Sequence, residues 1–133
     1  MLFRSYNPKS LVQGMRYFNV YGPNEDHKKG QSSPHHAFIT QLRETGKIKL
    51  FEGSKEFVRD FIPVSKVIKH KIWHLNTSPS GFYDIGTGKP KSFYDVAIEV
   101  GASDDDIEWV PMPDNLKEHY QKYSIAVKNC LTK

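Results

Sequence analysis

Residues 82–101 read FYDIGTGKPKSFYDVAIEVG, and this stretch decides the fold class. Aromatic and β-branched residues at 82–85 predict a strand, which ends at Gly86. Apolar side chains then recur at helical spacing over residues 93–100, after a Ser92 that can cap the helix. The stretch is therefore a strand–loop–helix unit, the building block of α/β proteins.

The alternation of strands and helices continues on both sides of this unit. In chain order, the pattern predicts a strand at 14–21, a helix at 34–45 capped by Ser32 or Ser33 and ended by Gly46, short peripheral strands at 47–51 and 57–64, a helix at 64–75, and a strand at 107–110. The sequence therefore predicts one α/β domain over residues 1–133, without an internal boundary.

Composition excludes several classes of protein. The chain has 133 residues, of which 38% are hydrophobic, and no run of about eighteen apolar residues that could form a spanning helix. The N-terminus lacks the apolar block of a signal peptide. A single cysteine, Cys130, excludes an internal disulfide framework and a multi-cysteine zinc site. These features predict a cytoplasmic protein with no membrane partner.

The charge pattern bears on the ligand. Nineteen basic and fifteen acidic residues give a net charge of +4, and the excess lies in the N-terminal part of the chain. No dense basic stripe is present, so nucleic acid is not an expected partner. A small anionic ligand suits this pattern better than a polymer.

Metal and nucleophile sites have no convincing candidates. His70 and His74 stand at positions i and i+4 without an acidic residue of the metalloprotease type, so we predict surface or half-buried histidines and no metal site. Serine nucleophile motifs are absent, and Cys130 has no predicted scaffold around it. The two glycines of residues 86–92, GTGKPKS, favour a plain strand-to-helix turn, with phosphate contact by the backbone as the alternative.

One set of polar residues on separate loops and strand ends suits a phosphorylated sugar. The set consists of Asn19, Lys28, Ser54, Arg59 and Tyr120. An arginine can grip a diphosphate through its planar fork, and a lysine can exchange protons if burial lowers its pKa. Spacing alone does not show that these side chains converge, and a solvated surface is the alternative reading.

Five sequence motifs resemble those of the ADP-glyceromanno-heptose 6-epimerase family. They are RYFNVYGP at 16–23, LFEGS at 50–54, RDF at 59–61, IGTG at 85–88 and PDNLKEHYQ at 113–121. The first and third motifs occur widely among extended short-chain dehydrogenase/reductase enzymes that act on nucleotide sugars. The LFEGS loop, the 27–28 His-Lys pair and the last motif narrow the resemblance to the heptose epimerases, over residues 11 to 125.

The resemblance implies roles for particular residues. Lys28 matches the family's acid/base lysine, which is also placed at the NADP cofactor, and Val20 lies where the family touches NADP. The expected substrate-binding residues are Asn19, Phe51, Glu52, Gly53, Ser54, Arg59 and Tyr120. The implied function is C6 epimerisation of an ADP-heptose for lipopolysaccharide core, by oxidation and re-reduction of a heptose carbon with NADP.

The sequence also departs from this family. The Gly-rich cofactor fingerprint and the Tyr-x-x-x-Lys pair occur nowhere in the chain, so we expect the C-terminal portion of such an enzyme, with the cofactor-binding half missing. Gly30 stands in place of a substrate-binding serine, for which Ser32 or Ser33 could compensate, and Ala37 replaces a histidine.

Three functional readings follow from these departures. The leading reading is a substrate-binding portion that is not catalytic alone. The alternatives are a non-catalytic nucleotide-sugar module or split-enzyme half, which complements a separately encoded Rossmann half or self-associates, and a functionless gene fragment. Without their sheet neighbours, the strands at 14–20 and 82–85 are expected to expose Phe18, Val20, Phe82 or Ile85.

Overall fold

A computed structural model describes residues 10–127 as eight strands and four helices. The strands are β1 Gln13–Tyr17, β2 Asn19–Tyr21, β3 Ile48–Phe51, β4 Val58–Arg59, β5 Phe61–Pro63, β6 Gly81–Ile85, β7 Lys91–Ser92 and β8 Ile107–Val110. The helices are α1 Pro34–Thr45, α2 Val64–Thr77, α3 Phe93–Glu99 and α4 Asp114–Lys117, with 3-10 turns at Asp26–Gln31 and Asp104–Asp106. The α/β class is confirmed. Cys130 lies outside the described residues.

The strands pair across long distances in the sequence. Three pairs are parallel: β1 with β6, β2 with β5, and β3 with β8. The short β4 and β7 pair antiparallel. Parallel pairing requires crossover connections, and helices α1 and α2 lie in the segments between the paired strands.

The predicted strand at 14–21 is divided at Phe18. The Phe18 N–H still donates to the Ile85 carbonyl of β6, whereas the Asn19 N–H donates to the Asp60 carbonyl, beside β5. The chain thus changes sheet partner between two successive residues. The predicted strand at 57–64 is likewise divided into β4 and β5, because Asp60 between them belongs to neither strand.

The core lies where the sequence analysis predicted peripheral strands, and that prediction is wrong. Ile48 of β3 and Ile62 of β5 are both fully buried. Leu50 and Phe61, from the same strands, join Phe38 of α1 in the larger of two apolar clusters. Helices α1 and α3 contact β3, and α2 contacts β5, so these short strands are buried.

The ends of α1 and α3 follow the predicted capping residues. Ser33, rather than Ser32, caps α1 by accepting the His36 N–H at 3.3 Å, and Gly46 ends the helix. Ser92 caps α3 in a reciprocal box, in which Asp95 accepts the Ser92 N–H at 2.9 Å. Such boxes satisfy amide groups that a helix leaves free at its start.

Helix α2 forms where predicted but turns a different face inward. Its buried side chains are Val67, His70 and His74, while Ile68, Ile72 and Leu75 are exposed. The prediction of surface or half-buried histidines is therefore wrong for His70 and His74. The apolar stripe that predicted the helix mostly faces outward.

The predicted exposure of unpartnered strands holds only in part. Phe82 of β6 is 47% exposed, but Ile85 of the same strand is fully buried against Ile62 and Val67. Phe18 and Val20 are half-buried. No helix within residues 10–127 has the length and apolar character needed to cross a membrane.

Candidate functional site

An aromatic cavity of about 230 Å³ opens between α1, β3 and α3. We define this aromatic cavity by the residues that line it and are used below, which are Ser32, Ala37, Phe51, Ser54, Phe93 and Tyr120. The Tyr120 ring meets Phe51 edge-on at 6.4 Å and Phe57 at 5.0 Å between ring centroids. Aromatic walls of this kind suit a flat apolar group such as a nucleobase.

Arg59 lies at the margin of the aromatic cavity and is only 9% exposed. Its guanidinium carbon stands 5.7 Å from the centre of the Phe93 ring and 5.5 Å from that of Tyr120. Its Nη1 donates to the Val58 carbonyl at 3.1 Å. Arg59 is absent from the ion pairs formed within residues 10–127.

The electrostatics of Arg59 suit an anionic ligand. Burial lowers the pKa of Arg59, and the nearby Tyr120 opposes that change. Burial also raises the pKa of Tyr120, while Arg59 lowers it. A guanidinium remains charged in proteins, so Arg59 is a buried cation with stacked aromatic rings but without a carboxylate. A diphosphate would supply the missing counter-charge.

A tight turn after β3 brings Ser54 to the aromatic cavity. The Ser54 N–H donates to the Phe51 carbonyl at 3.0 Å, and the Ser54 residue is buried. Gly53 has a φ of +87°, a conformation that side chains with a Cβ rarely adopt. The Lys55 ammonium lies over Tyr94, 4.5 Å from the ring centre, and thereby ties the turn to α3.

The Asp60 carboxylate holds the glycine turn at 86–88 in place through hydrogen bonds. Its fully buried carboxylate accepts the N–H groups of Thr87, Gly88 and Ala126 at 2.8, 2.8 and 3.0 Å, and the Thr87 hydroxyl at 2.6 Å. Gly86 allows this approach, because a Cβ there would lie 2.7 Å from an Asp60 oxygen. The turn amides are committed to Asp60, which supports the plain-turn reading over phosphate contact.

Lys28 lies in the 3-10 turn Asp26–Gln31 and does not line the aromatic cavity. Its Nζ stands 3.3 Å from the Glu25 carboxylate, and its side chain is 43% exposed. Burial opposes ionisation of Glu25, but hydrogen bonds from Ser33, the Gly22 N–H and Lys28 outweigh burial and lower the Glu25 pKa to about 2. Lys28 therefore rests beside a permanent anion.

The remaining expected site residues lie on β2 and on the turn after β3. Asn19 and Val20 belong to β2, and Val20 packs against the small apolar cluster around Ile62. Glu52 is exposed and donates its N–H to the Val110 carbonyl at 2.9 Å. The structure thus brings Phe51, Ser54, Arg59 and Tyr120 together, with Glu52 and Gly53 on the same turn. It places Asn19, Val20 and Lys28 on other segments.

Asp60 and Glu25 were not singled out from the sequence as site residues. Both are buried carboxylates that position segments carrying expected site residues. Their position in the sequence could have indicated a role at the site, since Asp60 follows Arg59 directly within a quoted motif and Glu25 lies shortly after the 16–23 motif. Within residues 10–127, no three histidine, cysteine or acidic side chains are grouped to hold a metal ion.

Comparisons with known proteins find relatives by sequence and by structure. The sequence model of the NAD dependent epimerase/dehydratase family matches residues 4–86. A curated ADP-L-glycero-D-manno-heptose-6-epimerase from Alkalilimnicola ehrlichii is 44% identical, over 86% of this chain and 38% of that protein. This chain therefore spans less than half the length of that relative.

Solved structures share the fold. The ADP-L-glycero-D-manno-heptose-6-epimerase of Helicobacter pylori superposes with a TM-score of 0.78 at 24% identity, over 96% of this chain and 39% of that one. A UDP-N-acetylglucosamine 4-epimerase from Methanobrevibacter ruminantium M1, in complex with UDP-N-acetylmuramic acid, gives 0.75 at 24% identity, over 96% and 40%. At these identities the likeness supports the fold alone.

Proposed function

The chain belongs to the NAD dependent epimerase/dehydratase family, and from that premise we propose that it binds a nucleotide sugar as the substrate-binding portion of an ADP-heptose 6-epimerase. The curated relative at 44% identity supports the choice of an ADP-linked heptose. The reaction is inversion at C6 of the heptose, in the supply of sugar for lipopolysaccharide core.

The observation that carries this proposal is the unpaired guanidinium of Arg59 beside the aromatic cavity. Phe51 and Tyr120 offer apolar faces to a nucleobase, and Arg59 stands next to Tyr120 to meet the diphosphate. A buried cation that has no carboxylate partner within residues 10–127 is unfavourable in the free protein, so an anionic ligand gains from pairing with it. The buried Ser54 supplies a further polar group on the same wall.

The proposed cofactor is NADP, with Val20 and Lys28 as this chain's contacts to it. When bound, this cofactor would supply the hydride chemistry of the reaction. The glycine turn at 86–88 does not fit the cofactor phosphates, because Asp60 takes its amides. Lys28 is the proposed acid/base residue, and its proton would be exchanged at the sugar rather than in the aromatic cavity.

Catalysis also needs a cofactor-binding half, which residues 10–127 do not contain, and a surface along β1 is suited to receive it. Within residues 10–127, β1 pairs with β6 on one edge and with no strand on the other. A groove of about 570 Å³ runs beside it, lined by Leu11, Met15, Tyr17 and Leu75 among others. We expect a parallel strand of the cofactor-binding half, whether or not that half is separately encoded, to occupy this edge, and self-association in its absence.

Two other readings are distinguished by binding and by turnover. A non-catalytic nucleotide-sugar module would bind ligand but gain no activity from any partner, and a functionless fragment would bind nothing.

The cytoplasmic location expected from the sequence remains a prediction.

The test is a titration of the chain with ADP and with ADP-heptose, followed by the fluorescence of Trp109. The Trp109 ring stacks near Tyr94, and Lys55 of the turn after β3 lies 5.7 Å from its centre, so occupation of the aromatic cavity should change its emission. We expect saturable binding of both ligands with Kd below about 1 mM. Absence of binding by ADP and ADP-heptose at that concentration, confirmed by calorimetry, would refute the proposal.

A further inference from the structure

The walls of the aromatic cavity belong to different elements of the fold. Phe51 and Ser54 lie on the turn that follows β3, and Phe93 is the first residue of α3. Ser32 and Ala37 line the side formed by α1 and the residue that precedes its cap. A nucleotide in the cavity would therefore contact separate segments of the chain, and its affinity depends on how well these segments are held in place beforehand.

The turn after β3 keeps its own shape through backbone hydrogen bonds. The Ser54 N–H donates to the Phe51 carbonyl at 3.0 Å. The Glu56 N–H donates to the Gly53 carbonyl at 2.8 Å. Both bonds lie within the turn, so they do not fix its position relative to α3.

Lys55 joins this turn to two aromatic rings that lie outside the cavity. Its Nζ is 4.5 Å from the centre of the Tyr94 ring, on α3, and 5.7 Å from the centre of the Trp109 ring, on β8. The two rings are nearly parallel, at an interplanar angle of 14°. Aromatic faces attract an ammonium group electrostatically. Lys55 is absent from the ion pairs formed within residues 10–127, so these rings are its evident partners there. We call the three side chains the lysine clamp.

The lysine clamp connects two walls of the aromatic cavity. Lys55 directly follows the buried Ser54, and Tyr94 directly follows Phe93. Each of these two clamp residues is therefore next in the chain to a residue that lines the cavity. A backbone bond from the Phe93 N–H to the Phe57 carbonyl, at 3.3 Å, joins the same two segments beyond the turn. The clamp adds a link at the turn itself.

We propose that Lys55 is a positioning residue, whose clamp holds the turn after β3 at the distance from α3 that a bound nucleotide requires. This inference rests on the proposed function, because the nucleotide occupies the cavity between these walls. The Lys55 ammonium acts through the rings of Tyr94 and Trp109 and not by touching the ligand. Since the clamp orders the turn before the ligand arrives, less conformational entropy is lost on binding.

The experiment measures ADP binding to the full chain by isothermal titration. Lys55→Met should weaken binding about threefold, which corresponds to the loss of one exposed cation–π contact. Lys55→Arg should restore the affinity, because a guanidinium also stacks on aromatic faces. Lys89→Met removes the same charge at an exposed position outside the cavity and should leave the affinity unchanged. Circular dichroism verifies that each variant is folded.

Two further measurements distinguish a clamp from a direct contact with the ligand. In the Tyr94→Leu background, which lacks the nearer ring, Lys55→Met should cause little further loss of ADP affinity. Tyr94→Phe loses only the hydroxyl bond to Asp104 and should keep the coupling to Lys55. The chain has two tryptophans, so in a Trp73→Phe background Lys55→Met should change the emission of Trp109 before any ligand is added.

The outcomes separate this inference from the proposed function. If Lys55→Met binds ADP as tightly as the unchanged chain, or if Lys55→Arg binds as weakly as Lys55→Met, the inference is wrong while ADP binding still supports the aromatic cavity. An equal loss from Lys55→Met with and without the Tyr94 ring would show that Lys55 acts on the ligand directly, which also overturns the inference. If the unchanged chain does not bind ADP, the proposed function and this inference fail together.

Discussion

Three buried charged residues differ in whether the protein itself satisfies them. Asp60 accepts three backbone N–H groups and a hydroxyl, and Glu25 accepts the N–H groups of Gly22 and Ser33. Arg59, which is 9% exposed, donates to a neighbouring carbonyl and forms no ion pair within residues 10–127. The carboxylates are therefore structural, and the guanidinium is the charge that we propose for a ligand.

Arg59→Lys should weaken ADP binding at least tenfold. Lysine keeps the charge but loses the planar fork that grips two phosphate oxygens, and it stacks less well on Phe93 and Tyr120. Calorimetric titration with ADP measures the change. Arg43→Lys, on an exposed turn of α1, is the matched control. An unaltered Kd for Arg59→Lys would remove Arg59 from the diphosphate site.

Asp60→Asn should destabilise the chain by about 3 kcal/mol. The amide group presents a donor to backbone N–H groups that now share a carboxylate, so buried donors lose their acceptor. Urea denaturation measures the free energy of unfolding. Asp106→Asn serves for comparison, since its carboxylate binds Ser103 at an exposed turn. Equal losses in both variants would contradict a special role for Asp60.

Part of the candidate site comes together through residues that are close in the sequence. Phe51 and Ser54 are close in the chain, and a tight turn holds them together whatever the rest of the fold does. Their meeting with Arg59 and Tyr120 depends on β3, β4 and the segment after α4, and was expected only from the family resemblance. The buried roles of Asp60 and Glu25 depend on N–H groups of distant segments, which no local pattern reveals.

At the scale of elements, helix α2 shows the limit of hydrophobic periodicity. The spacing of Ile68, Ile72 and Leu75 predicts the helix, but it does not show whether another element of the fold packs against that face. In the structure His70 and His74 face the strands, and His74 packs on Tyr83 at 4.3 Å. Caps were more predictable than faces, because Ser33 and Ser92 act on amides three residues away.

The stability of the α1 region should depend on pH through His35. This buried residue stacks on Tyr21 at 3.6 Å, and neither of its ring nitrogens has a hydrogen-bond partner within residues 10–127. Burial lowers the pKa of His35, and the net effect of nearby charges does not restore it. The unfolded chain therefore binds the proton more readily, so this stabilisation is present above about pH 6.5 and is lost as the pH falls toward the folded pKa.

His35→Phe should reduce this pH dependence. Phenylalanine keeps an aromatic ring against Tyr21 and Phe61 but cannot take up a proton. We expect the variant to gain stability over the unchanged chain at pH 5.5 and to gain less at pH 8, in thermal melts at both values. His119→Phe, at an exposed position, should leave the pH profile unaltered. A parallel shift at both pH values would show that His35 does not titrate on unfolding.

At the scale of the whole molecule, exposed apolar side chains on the outer face of α2 lie next to an edge of β1 that pairs with no strand within residues 10–127. Ile72 is 55% exposed and Leu75 57%, and Leu75 also lines the groove beside β1. Apolar patches of this kind mark contact surfaces in folded proteins. The chain by itself should therefore bind hydrophobic dyes and self-associate.

Ile72→Glu with Leu75→Glu should abolish dye binding and self-association. Both side chains are exposed, so the free energy of unfolding should change by no more than about 0.5 kcal/mol. Light scattering and dye fluorescence measure the outcome. Ile62→Glu places the same charge at a fully buried position and should unfold the chain. A double variant that stays aggregated would place the contact surface elsewhere.

The long-range strand pairing has a consequence for how quickly the native state can form. Arg16 of β1 lies 68 residues from its partner Asp84 in β6, and the other parallel pairs are similarly non-local. Chains rich in such contacts fold in milliseconds to seconds, because the entropy of closing long loops must be overcome before pairing brings any gain. On the ribosome, β1 waits until the chain has been made as far as β6, and during that interval its edge has no partner within the described fold.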